Sequence, residues 1–150
     1  MRQFVAQKVV DLPPSGIRAF FDLVAGREDI VSLGVGEPDS VTPWSVREAG
    51  IYSLEQGRTA YTSNAGLLEL RQAISVYQKG LIENEYDPKS EILITVGVSQ
   101  GLDIALRAIL DNGDEVIHLV PCYVSYGPMI QLAGGVPVPV RFQGEAFEAD

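Results

Sequence analysis

The stretch ILITVGVSQGLDIALRAIL, residues 92–110, begins as a buried strand and ends as an amphipathic helix. The turn between them, Thr95-Val96-Gly97-Val98-Ser99-Gln100, holds a glycine, a hydroxyl and an amide side chain at the helix start. Gly97 lets the backbone turn tightly. The exposed N–H groups of a helix's first turn carry partial positive charge, so such a turn can hold a phosphate without any lysine. An ordinary N-cap at Ser99 accounts for the same residues, and for this turn alone it is the commoner arrangement.

Other residues with chemical potential lie in loops. Tyr123, in VPCYVSY, falls at the carboxyl end of a second apolar run, where an aromatic ring can wall a flat-ligand site. Gly36, with Gly34 and Pro38 in GVGEPD, allows close backbone approach, and Tyr61 stands in the polar stretch TAYTSNAG. A rim aromatic, a plain turn and an exposed loop tyrosine explain these three equally well. One histidine, His118, cannot form a metal cluster and reads as a hydrogen-bonded strand residue. One cysteine, Cys122, excludes an internal disulfide framework, as a reducing compartment leads one to expect. The lysines, Lys8, Lys79 and Lys89, fall in an N-terminal arm, at the end of a surface helix and in a turn, and read as solvated charge.

The elements that must carry these residues follow from periodicity. A helix is expected from near Ser15 to Gly26, with Ile17, Phe20, Phe21 and Val24 at helical spacing. A short strand then leads into the GVGEPD turn. Thr42 as N-cap and Pro43 at the first helical position open a second helix that ends near Gly57. Leu67, Leu70, Ile74, Tyr77 and Leu81 mark a third helix lying on a core, and Trp44 reads as packing. From residue 92 onward the pattern is strand, helix, strand (EVIHLV), helix (VSYGPMIQLAG) and strand (VPVPVRF). Apolar runs spaced by helices indicate an α/β fold whose parallel sheet is covered on both faces. No repeat, low-complexity tract or linker divides the chain. The run after VPVPVRF brings no closing element, so this sequence is expected to be the front part of a larger chain, and the isolated piece is expected to aggregate through its uncovered sheet edge.

The totals narrow the function classes. The length of 150 residues suits one domain, and 46% hydrophobic with 21% charged residues is a globular composition. A net charge of −9 with eleven scattered basic residues argues against a nucleic-acid backbone as partner. The N-terminus lacks the apolar core of a signal peptide, and no apolar run approaches the ~20 residues that span a bilayer. A cytoplasmic location is the expectation. Residues 97–101, GVSQG, match neither the dinucleotide fingerprint nor a P-loop with its lysine.

In order, SLGVGEPD, TPWSVREAGIYSLEQGRTAYTSNAGLLELRQAI, ILITVGVSQGLDIALRAILDNGDEVIHLVPCYVSY and AGGVPV closely resemble the fold-type-I pyridoxal-phosphate enzymes, class I/II aminotransferases above all. The resemblance runs from about Ser15 to the end of the chain. It implies a three-layer α/β/α fold with a mostly parallel sheet in the large domain, incomplete here. Residues 1–42 would form the N-terminal arm and part of the small domain, and residues 43–150 the first part of the large, cofactor-binding domain. It further implies pyridoxal 5'-phosphate as cofactor, bound by Val98, Ser99 and Gln100 through backbone N–H groups and the Ser99 hydroxyl. Tyr123 would stack on the pyridine ring. Tyr61 would reach the cofactor phosphate of the neighbouring subunit in a homodimer. Gly36 would make room for the substrate carboxylate, and Ile17 would line the same pocket.

The reaction implied is amino-group transfer between an L-amino acid and a 2-oxo acid. None of the three lysines matches the family's Schiff-base lysine, expected beyond Asp150 with the other ring and carboxylate contacts. The chain alone is therefore expected not to catalyse transfer. Carbon–sulfur β-lyases and aminocyclopropane-carboxylate synthases resemble the same stretch, and the bond broken depends on residues outside it. A non-catalytic binding piece is the other rival; regulators of that kind place a basic helix-turn-helix ahead of the domain, and no such segment precedes it here. The amino acid used stays open.

Overall fold

The structure, a computed structural model, describes residues 4–14, 16–17, 21, 27, 29–30, 36, 38–143 and 148–149. The expected helix near Ser15 and the strand before GVGEPD fall largely outside them. The described residues form α1 (Gln7–Val10), α2 (Trp44–Glu55), α3 (Leu68–Ile82), α4 (Gly97–Ile109), β1 (Glu115–Val120), α5 (Tyr126–Ala133), β2 (Val136–Gln143) and β3 (Glu148–Ala149). Contacts divide the chain into two compact units, one of residues 1–27 with 95–150 and one of residues 28–94.

In the first unit β1 and β2 pair in parallel, from Glu115 opposite Val136 to Val120 opposite Arg141, and α5 makes the crossover between them. The prolines of β2 explain which edge faces β1. The Val136 N–H donates to the Asp114 carbonyl at 2.8 Å, so alternate N–H groups from Val136 onward point toward β1. Pro137 and Pro139 occupy the intervening positions, and their missing donors fall on the far edge, where a strand tolerates proline. On that edge β3 pairs antiparallel with Phe142 and Gln143. The turn after α5 is closed by Gly134 (φ +99°), with the Gly134 N–H on the Gln131 carbonyl and the Gly135 N–H on that of Ile130. Leu106 of α4 and Ile130 of α5 are the buried hydrophobic side chains among the described residues.

Three expectations need correction. Residues 92–95 form no strand among the described residues, because a ladder needs a neighbouring strand and an apolar run does not supply one. Among the described residues one face of β1 stays open: the side chains of Val116, His118 and Val120 are half-buried, whereas Ile117 and Leu119 are exposed. Lys8 is also not merely solvated, since its Nζ donates to the Leu132 carbonyl at the end of α5 (3.1 Å).

In the second unit α2 starts at Trp44, one residue later than expected. Pro43 is extended (ψ 143°) and lies outside the helix, its carbonyl accepting from the N–H groups of Val46 and Arg47. Thr42 is therefore not the N-cap. Trp44 is exposed rather than packed, with the Arg47 guanidinium 5.4 Å from its ring centre. Helix α3 covers the expected residues, but its apolar stripe is not the buried face: Leu67, Leu70, Tyr77 and Leu81 are exposed, while Arg71 and Ser75 are buried. Arg71 Nη1 donates to the carbonyls of Pro88 (2.6 Å) and Lys89 (3.3 Å), and Ser75 Oγ to that of Tyr86 (2.6 Å). Polar side chains win that face because the 86–91 turn presents carbonyls to it, and a buried guanidinium or hydroxyl needs such acceptors. Lys79 is paired with Glu85 at 2.5 Å.

Candidate functional site

The turn before α4 is built by three side-chain choices. Gly97 has φ +79°, a left-handed conformation that an L side chain adopts at a cost. The Thr95 hydroxyl donates to the Gly97 carbonyl at 2.9 Å, and Gln100 Oε1 accepts from the Val96 N–H at 2.5 Å. A Cβ at Gly101 would lie 3.3 Å from Thr95 Oγ1, so the glycine there leaves room for that hydroxyl. Thr95 and Gly101 were not singled out in the sequence; a hydroxyl at a strand end and a second glycine four residues after the first were the available signals.

Ser99 is not an N-cap. It lies inside the first turn of α4, whose preceding residue makes no side-chain cap. Among the described residues no acceptor meets the backbone N–H groups of Gly97, Val98 or Ser99, as expected for the opening turn of a helix. Val98, Ser99 and Gln100 are all exposed, and Gln100 spends its side chain on closing the turn. One turn further along α4, Asp103 accepts from Arg107 Nε at 2.9 Å. That hydrogen bond holds the Asp103 carboxyl below the usual carboxylate range and keeps the guanidinium firmly protonated.

Tyr123 follows β1 after Pro121 and Cys122, and its ring is half exposed (51%). The Tyr126 ring stands edge-on to it, with centroids 5.7 Å apart and planes at 78°. Val98, Ser99, Leu102, Tyr123, Tyr126 and Met129 line one depression of about 140 Å³. The structure therefore brings the α4 turn and Tyr123 together. Leu102, Tyr126 and Met129 were missed; Leu102 and Tyr126 each fall three residues after a predicted site residue, the spacing that places side chains on one helical face.

The remaining predicted residues are described in their own surroundings. Ile17 is exposed. In the 28–94 unit, Tyr61 is fully exposed, and Gly36 has open space where a Cβ would stand. His118 is a strand residue with a partner, as expected: its Nδ1 lies 3.6 Å from Cys122 Sγ. Among the described residues no group of three or more His, Cys, Asp or Glu side chains is placed to hold a metal ion, and no helix is long and apolar enough to cross a membrane.

Comparison with known proteins places this geometry. Residues 28–150 match the family described as "Aminotransferase class I and II". The Bacillus subtilis (strain 168) protein YugH, provisionally named an aminotransferase, is 54% identical over 141 residues, covering 94% of this chain and 36% of that protein. An aspartate aminotransferase of Pyrococcus abyssi is 46% identical over 127 residues, covering 85% of this chain and 33% of its own. Among solved structures, a Thermus thermophilus aspartate aminotransferase variant complexed with tryptophan superposes with a TM-score of 0.88 at 39% identity, covering 97% of this chain and 39% of that one. The chain thus spans somewhat more than a third of most such relatives, and over that span its fold is the aminotransferase α/β fold. On the match of residues 28–150, this chain belongs to the aminotransferase class I and II family.

Proposed function

We propose that this chain supplies the phosphate-holding and ring-stacking part of a pyridoxal-phosphate-dependent aminotransferase, which moves an amino group between an L-amino acid and a 2-oxo acid. The observation that carries this reading is the single depression shared by the first turn of α4 and Tyr123. The residues present fit the group. N–H groups of Val98 and Ser99 without acceptors, beside an exposed hydroxyl, match a phosphate dianion at a helix N-terminus.

When bound, pyridoxal phosphate supplies an electron sink for the reacting carbon. The chain's own residues bind and orient it. Ser99 donates its hydroxyl to the phosphate beside the backbone N–H groups. Gln100, whose side chain is engaged on Val96, contributes its backbone N–H and holds the shape of the turn. Tyr123 offers a ring face and excludes water from one side of the cofactor. Tyr61, fully exposed, is assigned to the phosphate held by a second subunit in a homodimer; Gly36, with open space where a Cβ would stand, is assigned to the substrate carboxylate, and the exposed Ile17 to the lining of the substrate pocket. Lys8 lies on the Leu132 carbonyl and Lys79 on Glu85, so neither is assigned the role of covalent anchor.

The test is an intact mass of the protein purified from its native source after borohydride reduction, which fixes a lysine-bound cofactor as a stable adduct. The expected result is a native chain longer than these 150 residues that carries one phosphopyridoxyl group, since the anchoring lysine is placed beyond Asp150. A bare chain from protein isolated with excess cofactor would refute the reading.

A further inference from the structure

We propose that Tyr126 is a positioning residue that fixes the ring of Tyr123 as the wall on which a flat ligand stacks. The inference rests on the cofactor reading of Tyr123 above. Tyr123 sits on a segment, Pro121 to Val124, in which every residue is exposed. A half-exposed ring there has rotamer freedom, and losing that freedom on binding weakens the ligand. Tyr126 removes part of that freedom before the ligand arrives. Its ring meets that of Tyr123 at 5.7 Å and 78°, the edge-to-face arrangement that aromatic quadrupoles favour. Whichever ring presents its edge, at least one face of Tyr123 is left open toward a ligand. The backbone reinforces the pair, since the Tyr126 N–H donates to the Tyr123 carbonyl at 3.2 Å.

Tyr126 is less exposed than Tyr123 (38% against 51%), and it lines an apolar depression of about 280 Å³ with Leu102, Leu106, Val116 and Ile130, of which Leu106 and Ile130 are buried. Its place at the start of α5 puts one ring of the pair on a regular helix, while Tyr123 stands on the exposed segment before it. The ring carries this role, and the hydroxyl is not needed for it.

The experiment titrates the native protein, stripped of cofactor, with pyridoxal phosphate and follows the bound chromophore by absorbance and circular dichroism. Tyr126→Leu is expected to weaken binding roughly two- to tenfold and to change the dichroic band, as loss of one aromatic pair implies. Tyr126→Phe should bind within about twofold of wild type, because the ring contact persists. In a Tyr123→Leu background, Tyr126→Leu should add no further loss. Should the leucine variant not fold, Tyr126→Met takes its place. An unchanged Tyr126→Leu protein overturns the proposal. So does a Tyr126→Phe variant as weak as the leucine one, or additive losses in the double variant, since either means that Tyr126 touches the ligand itself. Ser99→Ala and Tyr123→Leu separate the two readings. If neither weakens binding, the cofactor reading fails; if both do and Tyr126→Leu does not, only the positioning role fails.

Discussion

At the scale of single residues, the chemistry assigned to this chain depends on a few atoms at the opening of α4. Gly97 accepts a left-handed φ at the start of α4, where the N–H groups of Gly97, Val98 and Ser99 meet no acceptor among the described residues. Ser99 adds one hydroxyl beside them. A hydrogen bond to a charged group contributes about 1.5–3 kcal/mol, so Ser99→Ala should weaken pyridoxal phosphate binding roughly tenfold or more. The comparison ligand is pyridoxal without its phosphate, whose affinity should not change. Equal losses for the two ligands would place Ser99 away from the phosphate. Both the glycine and the serine were legible in the sequence, because a strand run followed at once by small and hydrogen-bonding residues marks a turn. The exact position of Ser99 within that turn was not legible. Capping depends on which residue first adopts helical dihedrals, and here the glycine, not the serine, stands at the change of direction.

At the scale of elements, side-chain hydrogen bonds tie α3 to the turn that follows it in the 28–94 unit. Arg71 and Ser75, both buried, hold three turn carbonyls, and replacing either removes those hydrogen bonds from a part-buried place. Arg71→Met should cost about 1–3 kcal/mol and Ser75→Ala about 1 kcal/mol, read as denaturation midpoints at unchanged slope. The turn also carries a pH dependence. Asp87 accepts from the Ser90 hydroxyl and from the Lys89 N–H, which holds its carboxyl below the ordinary value of 3.8. The unfolded chain then binds the proton more readily, so the carboxylate's contribution is present above pH 3.8 and fades as the pH falls below it. Asp87→Asn should flatten that acid-side decline in melting temperature; a curve parallel to wild type would show that the turn does not feel the proton. The helix itself was readable from its spacing, but the choice of buried face was not. Apolar periodicity marks a stripe that seeks cover, whereas Arg71 and Ser75 are held by carbonyls 11 to 18 residues further on, which no local pattern announces.

At the scale of the whole molecule, much apolar surface stands open. No residue of α2 is buried, and Ile117 of β1, Ile109 of α4 and Val76 of α3 are each about 70% exposed. The 150-residue chain taken by itself should therefore bind a hydrophobic dye and sediment above its monomer mass of 16.3 kDa. Ile117→Lys, which places a charge on the open face of β1, should lower that association; a dye-negative monomer at tens of micromolar would contradict it.

The sequence by itself determined several of the local conformations and the family. Gly97 demanded a turn, Pro137 and Pro139 allowed a strand with one donor-poor edge, and the strand–helix alternation after residue 92 named a parallel α/β fold. These follow from steric limits and side-chain periods, which act within a few residues. Only the tertiary structure decided that Tyr123 is partnered by Tyr126, that α3 buries its polar side, and that residues 92–95 stay outside the sheet. Burial, ring contacts and ladders are made between segments, and their energies depend on what stands a few ångströms away in space, which the order of residues along the chain does not state.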